Sequence, residues 1–174
     1  MTSSLAADID ARCRLTGSFR LRSGRTSTEY FDKYLFESDP ALLRRVAEAM
    51  VPLVPAGADL LGGLELGGVP LAVMVGQLTG RPVVLVRKKA KEYGTCRLAE
   101  GCDVGGRTVV LIEDVVTSGG AVLAAVRELR ALGATVTDAV CVIDRQESGA
   151  AALAERDVTL HAVLTRADLD AAHA

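Results

Sequence analysis

Two acids, Glu113 and Asp114, directly follow the apolar run Val109-Val110-Leu111-Ile112 and stand just ahead of Thr117-Ser118-Gly119-Gly120. An ionised carboxylate accepts hydrogen bonds from two neighbouring hydroxyls, each worth about 1.5–3 kcal/mol when charge-assisted. A Ser/Thr/Gly turn that opens a helix offers free backbone N–H groups, two hydroxyls and the positive end of the helix dipole. Diol acceptors beside a phosphate cradle spell a ribose 5-phosphate. The plain alternative is a strand–turn–helix whose two acids cap the helix. A Walker-type nucleotide loop is excluded, because no Lys follows Gly120.

The second chemical stretch is Arg87-Lys88-Lys89-Ala90-Lys91, four positive charges in five residues within a chain of formal net charge −2. A solvated basic turn or a nucleic-acid patch would have the same composition. Neither explains why the run begins where a predicted strand ends. A pyrophosphate leaving group does: it gains charge as it departs, and fixed cations aimed at it favour the transition state over the ground state. Residues 94–101, with Gly at both ends, fit a mobile lid that keeps water from a glycosyl cation. Arg145 follows another predicted strand, and its planar fork suits a carboxylate. Its plain alternative is a surface Arg paired with Glu147. Tyr30 and Phe31 are more often packing residues than base-stacking ones, and His161, alternating with apolar neighbours, reads as structural.

These groups need a scaffold, and the hydrophobic pattern predicts one. Residues 109–112 read as a strand buried on both faces, the pattern of a central parallel strand. The acids then fall where that strand should be leaving the sheet, at the carboxyl edge where open α/β sheets bind ligands. A helix follows with apolar positions Val122, Ala125, Val126, Leu129 and Leu132, and Gly133 caps it. Strands are predicted near 59–63, 83–86, 136–143 and 158–164. Helices are predicted from Ser38-Asp39-Pro40 through Met50, from Gly67-Gly68-Val69-Pro70, over 147–156 and over 167–172. Residues 92–105 read as a loop, and 170–174 as a fraying tail. Strand–helix alternation gives an α/β fold with a mainly parallel central sheet flanked by helices. A modest helix over 2–15 and a hairpin over 17–33 stand outside the alternation, as a small hood over the ligand edge.

The chain of 174 residues, 49% hydrophobic, is expected to be one domain with a full core, residues 1–35 forming the hood. The slightly acidic charge and the scarcity of aromatics disfavour nucleic acid as a partner. No run is long enough to cross a bilayer and no secretory signal pattern is present, so the cytoplasm is the expected compartment, with no membrane partner. Cys13, Cys96, Cys102 and Cys141 form no CxxC and read as free thiols.

Residues 109–121 resemble the phosphoribosyl pyrophosphate (PRPP) signature of type I phosphoribosyltransferases: apolar strand, two acids, two further residues, then a Thr/Ser/Gly loop. The pattern Arg-Lys-x-x-Lys-x-x-Gly from Arg87, the following Glu100-Gly101, Leu21-Arg22-Ser23-Gly24, Tyr30-Phe31-Asp32 and Asp144-Arg145-Gln146-Glu147 narrow the resemblance to the orotate phosphoribosyltransferase family. It covers about residues 17–169. The resemblance implies transfer of the phosphoribosyl group from PRPP to orotate, with magnesium carried by PRPP and no direct protein ligand for it. It implies that Arg87, Lys88 and Lys91 hold the pyrophosphate and that Glu113 and Asp114 take the ribose hydroxyls. Val115, Val116, Thr117, Ser118, Gly119, Gly120 and Ala121 would wrap the 5-phosphate, and Thr117 and Arg145 would meet orotate. Lys91 and Asp114 would be catalytic, with Arg22, Tyr30 and Phe31 as additional contacts. It also implies a homodimer whose 87–101 loops close over the partner's site.

Four positions depart from the pattern. Ala121 replaces a common hydroxyl residue, Tyr93 a common His, and Arg22 a common Lys; the turn 65–68 lacks a common Lys. Two rivals stand beside this reading: a type I enzyme using a purine or uracil, and a non-catalytic PRPP-sensing regulator. The basic run argues against the regulator, which has no leaving group to stabilise.

Overall fold

The computed structural model describes residues 2–20, 24, 26–91, 94 and 97–173. The predictions for Arg22, Tyr93 and Cys96 fall outside the described residues. The chain opens with α1 (Thr2–Cys13) and an antiparallel hairpin, β1 (Arg14–Arg20) and β2 (Thr26–Phe31). The short α2 (Tyr34–Glu37) and α3 (Pro40–Met50) follow. Asp39 caps α3 by accepting from the N–H groups of Ala41 and Leu42, and Pro40 fits the first turn, whose N–H needs no partner.

Beyond these lies one six-stranded sheet. Its strands are β3 (Leu60–Leu64), β4 (Val83–Val86), β5 (Ala99–Glu100), β6 (Val109–Val116), β7 (Asp138–Asp144) and β8 (Thr159–Thr165), in the order β5-β4-β3-β6-β7-β8. All neighbours run parallel except β4 and β5. The helices α4 (Gly68–Thr79), α5 (Gly120–Ala131), α6 (Gly149–Ala154) and α7 (Arg166–His173) cover the faces. Side chains on β6 alternate between two cores. Val110 and Ile112 join Ile9, Met50 and Leu71 on one face; Val109 and Leu111 join Leu129 and Leu153 on the other. Among the described residues no helix is long and apolar enough to cross a membrane.

Four expectations are corrected. The central strand does not end at the acids: β6 runs on to Val116, because β7 pairs with it as far as Val116 opposite Asp144. The stretch 92–105 is not wholly loop, since Ala99 is buried and pairs with Val86, making β5. The helix expected over 147–156 is only Gly149–Ala154, bracketed by Gln146 and Asp157 in the left-handed region at φ 54° and 56°. The tail does not fray at 170. Helix α7 runs to His173, with Leu169 in the core and His173 Nδ1 2.9 Å from the buried Asp10 Oδ2 of α1.

Candidate active site

The carboxyl edge of the sheet is where the chemistry collects. Asp114, two residues beyond Ile112, points to the face covered by α4 and the hood, and it is fully buried. Glu113 is 8% exposed. Each acid is held by local backbone: the Asp114 N–H donates to Glu113 Oε1 at 3.0 Å, and the Val115 N–H to Asp114 Oδ1 at 2.5 Å. Neither caps the helix: their oxygens accept from the strand N–H groups of Asp114 and Val115, and the N-cap of α5 is Gly119.

Two residues absent from the sequence reading complete this corner. Lys33 places Nζ 2.5 Å from Asp114 Oδ2. Glu37, at the end of α2, is buried beside it. Gly67 makes the approach feasible: a Cβ there would overlap Asp114 Oδ2 and lie 2.8 Å from Glu37 Oε1. Gly68 is equally constrained, since its Cβ would overlap the Ile112 carbonyl oxygen. Glu37 Oε1 and Asp114 Oδ2 lack hydrogen-bond partners among the described residues, the Lys33 ion pair apart. A proton on the Glu37 carboxyl, shared with Asp114, would satisfy both. Burial, and then the charge and bonding of Asp114, raise the Glu37 and Glu113 carboxyls above their usual range. Asp114 moves the other way. Burial pushes it up, but Glu113 and the Lys33 ammonium more than offset that, and it is lowered. Lys33 is raised: burial works against its charge and Asp114 outweighs burial. One carboxylate therefore stays ionised beside two carboxyls that hold protons more tightly. The signal for the missed pair was the i,i+4 spacing of Lys33 and Glu37 immediately after Tyr30-Phe31-Asp32.

The loop beyond the acids has the predicted form. Thr117 and Ser118 are exposed, Gly119 adopts φ 76°, and α5 starts at Gly120 with Ala121 exposed on its first turn. With no side chain capping it, the first turn leaves its N–H groups free for an anion. Val115 is half-buried and Val116 buried. Gly149 lets α6 pass closely behind the loop, where a Cβ would come 2.6 Å from the Thr117 carbonyl oxygen.

Arg145 stands at the next strand end, its N–H donating to the Val116 carbonyl at 2.9 Å, which sets it beside Thr117. Its Nε is buried without a hydrogen-bond partner, and among the described residues no ion pair with Glu147 forms. Burial, then the like charge of Arg166, lowers its affinity for the proton, although Glu147 and Asp170 act the other way. It opens into a cleft of about 330 Å³ walled also by Arg14, Glu29, Tyr30, Phe31 and Arg166. The Tyr30 ring stacks on Phe19 at 5.5 Å and remains 44% exposed. Phe31 packs partly on the core. A half-buried guanidinium whose Nε has no partner, beside aromatic walls, suits a planar anion.

The basic run leaves the sheet at the end of β4. Arg87 is half-buried, and Lys88 and Lys89 are exposed. The Lys88 N–H donates to Glu65 Oε2 at 3.0 Å, joining the run to the turn after β3. Lys91 does not meet the strand acids; its Nζ lies 2.6 Å from Glu100 Oε1. Glu65, Arg87, Lys88, Ala121, Arg127 and Glu128 line a second cleft of about 380 Å³.

The sequence profile of the phosphoribosyl transferase domain matches residues 37–160. An orotate phosphoribosyltransferase from Nocardioides sp. is 66% identical over 172 residues, covering 99% of this chain and 96% of that one. Another from Methanocella arvoryzae is 41% identical, over 88% of this chain and 87% of its own length. The crystal structure of the Mycobacterium tuberculosis H37Rv orotate phosphoribosyltransferase in complex with PRPP superposes with a TM-score of 0.82 at 28% identity, over 97% of this chain and 98% of that one.

Proposed function

The chain belongs to the phosphoribosyl transferase family, and we propose that it transfers the 5-phosphoribosyl group of PRPP to orotate, giving orotidine 5-phosphate and pyrophosphate in pyrimidine synthesis. The observation that carries this reading is one sheet edge. The paired acids near the end of β6 lead into the uncapped Thr/Ser/Gly helix start, and Arg145, its Nε without a partner, stands beside that start just past the end of β7.

In this reading Glu113 and Asp114 accept the ribose hydroxyls, and residues 117–121 hold the 5-phosphate through backbone N–H groups and hydroxyls. Arg145 pairs with the orotate carboxylate, which uracil and the purines lack, while Thr117, Tyr30 and Phe31 border the base. Orotate N1 attacks C1 as the C1–oxygen bond to pyrophosphate breaks, and the electron pair of that bond leaves with the pyrophosphate. Positive charge builds on the ribose ring, where the Asp114 carboxylate is already fixed in a dry setting. Negative charge builds on the leaving group, which Arg87, Lys88 and Lys91 receive. Little covalent work falls to the protein; positioning and fixed charge supply the rate.

Magnesium belongs to the substrate in this reading. The Asp114 oxygen best placed to bind a cation already faces the Lys33 ammonium, so the acids offer no open cage. When bound, the ion offsets charge on the pyrophosphate oxygens. The enzyme works as a homodimer whose 87–101 loop reaches the partner's site. It acts in the cytoplasm, where the buried thiols of Cys13 and Cys141 stay reduced.

The deciding assay follows PRPP consumption with orotate, uracil, adenine, hypoxanthine and xanthine in turn. Turnover with orotate alone is expected. Turnover with uracil or a purine and none with orotate would overturn the reading.

A further inference from the structure

The hood delivers to the ribose end of the site a cation that the reaction as described does not use. Lys33 lies between β2 and α2, its Nζ 2.5 Å from Asp114 Oδ2, with its side chain one-third exposed while Asp114 has no exposure. Because Gly67 lacks a Cβ, the turn after β3 closes onto the same carboxylate. Ammonium, Asp114 and the turn 65–68 therefore meet at one point.

Strand register says what passes over that point. In β3, Leu64 pairs with Val86 of β4, and Gly63 with Ile112 of β6. The turn 65–68 is thus flanked by the basic run leaving β4 on one side and by the acids of β6 on the other. PRPP with its diol on the acids and its pyrophosphate toward the basic run spans this turn. The Lys33 ammonium lies at the acid side of that span, against Asp114 Oδ2.

Asp114 cannot serve both partners. Its outer oxygen is closed off by Lys33, Glu37 and Gly67 in the free protein. The ribose hydroxyls reach it only if the ammonium moves. Lysine carries its charge on a flexible four-carbon stem, and a cation released beside a pyrophosphate pairs with it.

Resting on the PRPP reading above, we propose that Lys33 is a PRPP-binding residue supplied by the hood: it neutralises Asp114 in the free protein and turns to the pyrophosphate when the ribose hydroxyls take Asp114. The hood then does more than roof the base, because its own side chain registers that the diol has arrived.

The test is calorimetric titration, with magnesium present, of wild type, Lys33→Met and Lys33→Arg with PRPP, pyrophosphate and ribose 5-phosphate. Loss of one charge-assisted contact should weaken PRPP and pyrophosphate about 10- to 100-fold in Lys33→Met, while ribose 5-phosphate changes less than about threefold. Lys33→Arg keeps the charge and should hold PRPP within about threefold of wild type. Equal weakening of PRPP and ribose 5-phosphate would reduce Lys33 to a prop for Asp114 and overturn the proposal, as would no change in either. Melting curves establish that the variants fold, and Lys33→Gln carries the same comparison if Lys33→Met melts early. Wild type failing to bind PRPP at all would instead overturn the PRPP reading itself.

Discussion

Asp114 is fully buried on the central strand, whereas Lys88 and Lys89 stand in solvent just beyond the end of β4. The acid end of the site is built into the sheet. Its carboxylate is held by a backbone N–H and a proton-holding neighbour, and the Lys33 ammonium paired with it in the free protein is the one group that moves before the ribose ring turns cationic. A fixed charge in a dry site acts far more strongly than the same charge in water. The basic end has no such setting. Its exposed cations are screened until something covers them, and Lys91 is engaged by Glu100 meanwhile. The contrast teaches that the ribose end is prepared before substrate arrives and the pyrophosphate end is assembled around it.

The sharpest way to break that contrast is Asp114→Asn, which keeps the shape and removes the prepared charge. Losing one preorganised electrostatic contact typically costs about 10²–10³ in kcat, and a fall of at least that size is expected with the fold intact by circular dichroism. Near-normal turnover at saturating PRPP would reduce the acids to framework.

Arg145→Ala comes next. The Arg145 Nε is buried and waits for a partner, so its removal should act on orotate and leave the PRPP KM unchanged. Truncating one member of a buried charge pair costs about 2–5 kcal/mol, which puts the rise in orotate KM at about 30-fold or more. An unchanged orotate KM sinks the assignment and leaves Arg145 to the cleft wall.

The two ends also differed in how far they could be read from residue order. The turn into α5 was legible because its residue types are themselves the signal: hydroxyls and glycines after a β-branched run leave few other structures. The parallel sheet was legible from its apolar runs. The burial of Asp114 was not. Local pattern placed both acids beyond the strand, and only the hood, arriving from far up the chain, turns an edge position into an interior one. Lys33 and Glu37 stood in plain view at helical spacing, but a four-residue helix carries too short a period to declare its face. Nor does β5 carry a period, at two residues; its place is settled by the burial of Ala99 against β4. That strand also anchors part of the 87–101 segment on its own subunit.

This anchoring sharpens the question of whose site the loop serves. With residues 99–100 tied to β4 and the Lys91 ammonium held by Glu100 of its own chain, the free reach of Lys91 is short, and a loop serving its own subunit stands against the proposed shared site. Lys91→Ala and Asp114→Asn, unfolded and refolded together, test this. Random pairing makes about half the dimers mixed, and a shared site restores about a quarter of all sites. If the loop serves its own subunit, every site keeps one lesion and no activity returns, even with heterodimers verified by mass.

The smallest expected effect concerns what the prepared end costs the fold. Burial and Asp114 shift the Glu37 carboxyl from its usual 4.5 to about 8. Between those values the folded chain binds more protons at this residue than the unfolded chain does. Stability from this group is therefore greatest at low pH and declines as pH rises through the window. Asp114 contributes with the opposite sign, since its carboxyl is lowered from the usual 3.8, so its contribution is lost only at pH values below the window. Glu37→Gln keeps an N–H donor for Asp114 and removes the titration. It should melt close to wild type near pH 5 and above it near pH 8. Each kcal/mol gained corresponds to about 2–4 °C in a domain of this size, and a gain of that order is expected at the upper end. A melting difference that stays constant across the window, or that widens toward acid, would mean that Glu37 carries its proton no more tightly in the fold than out of it. The prepared carboxylate would then rest on Lys33 and the Val115 N–H.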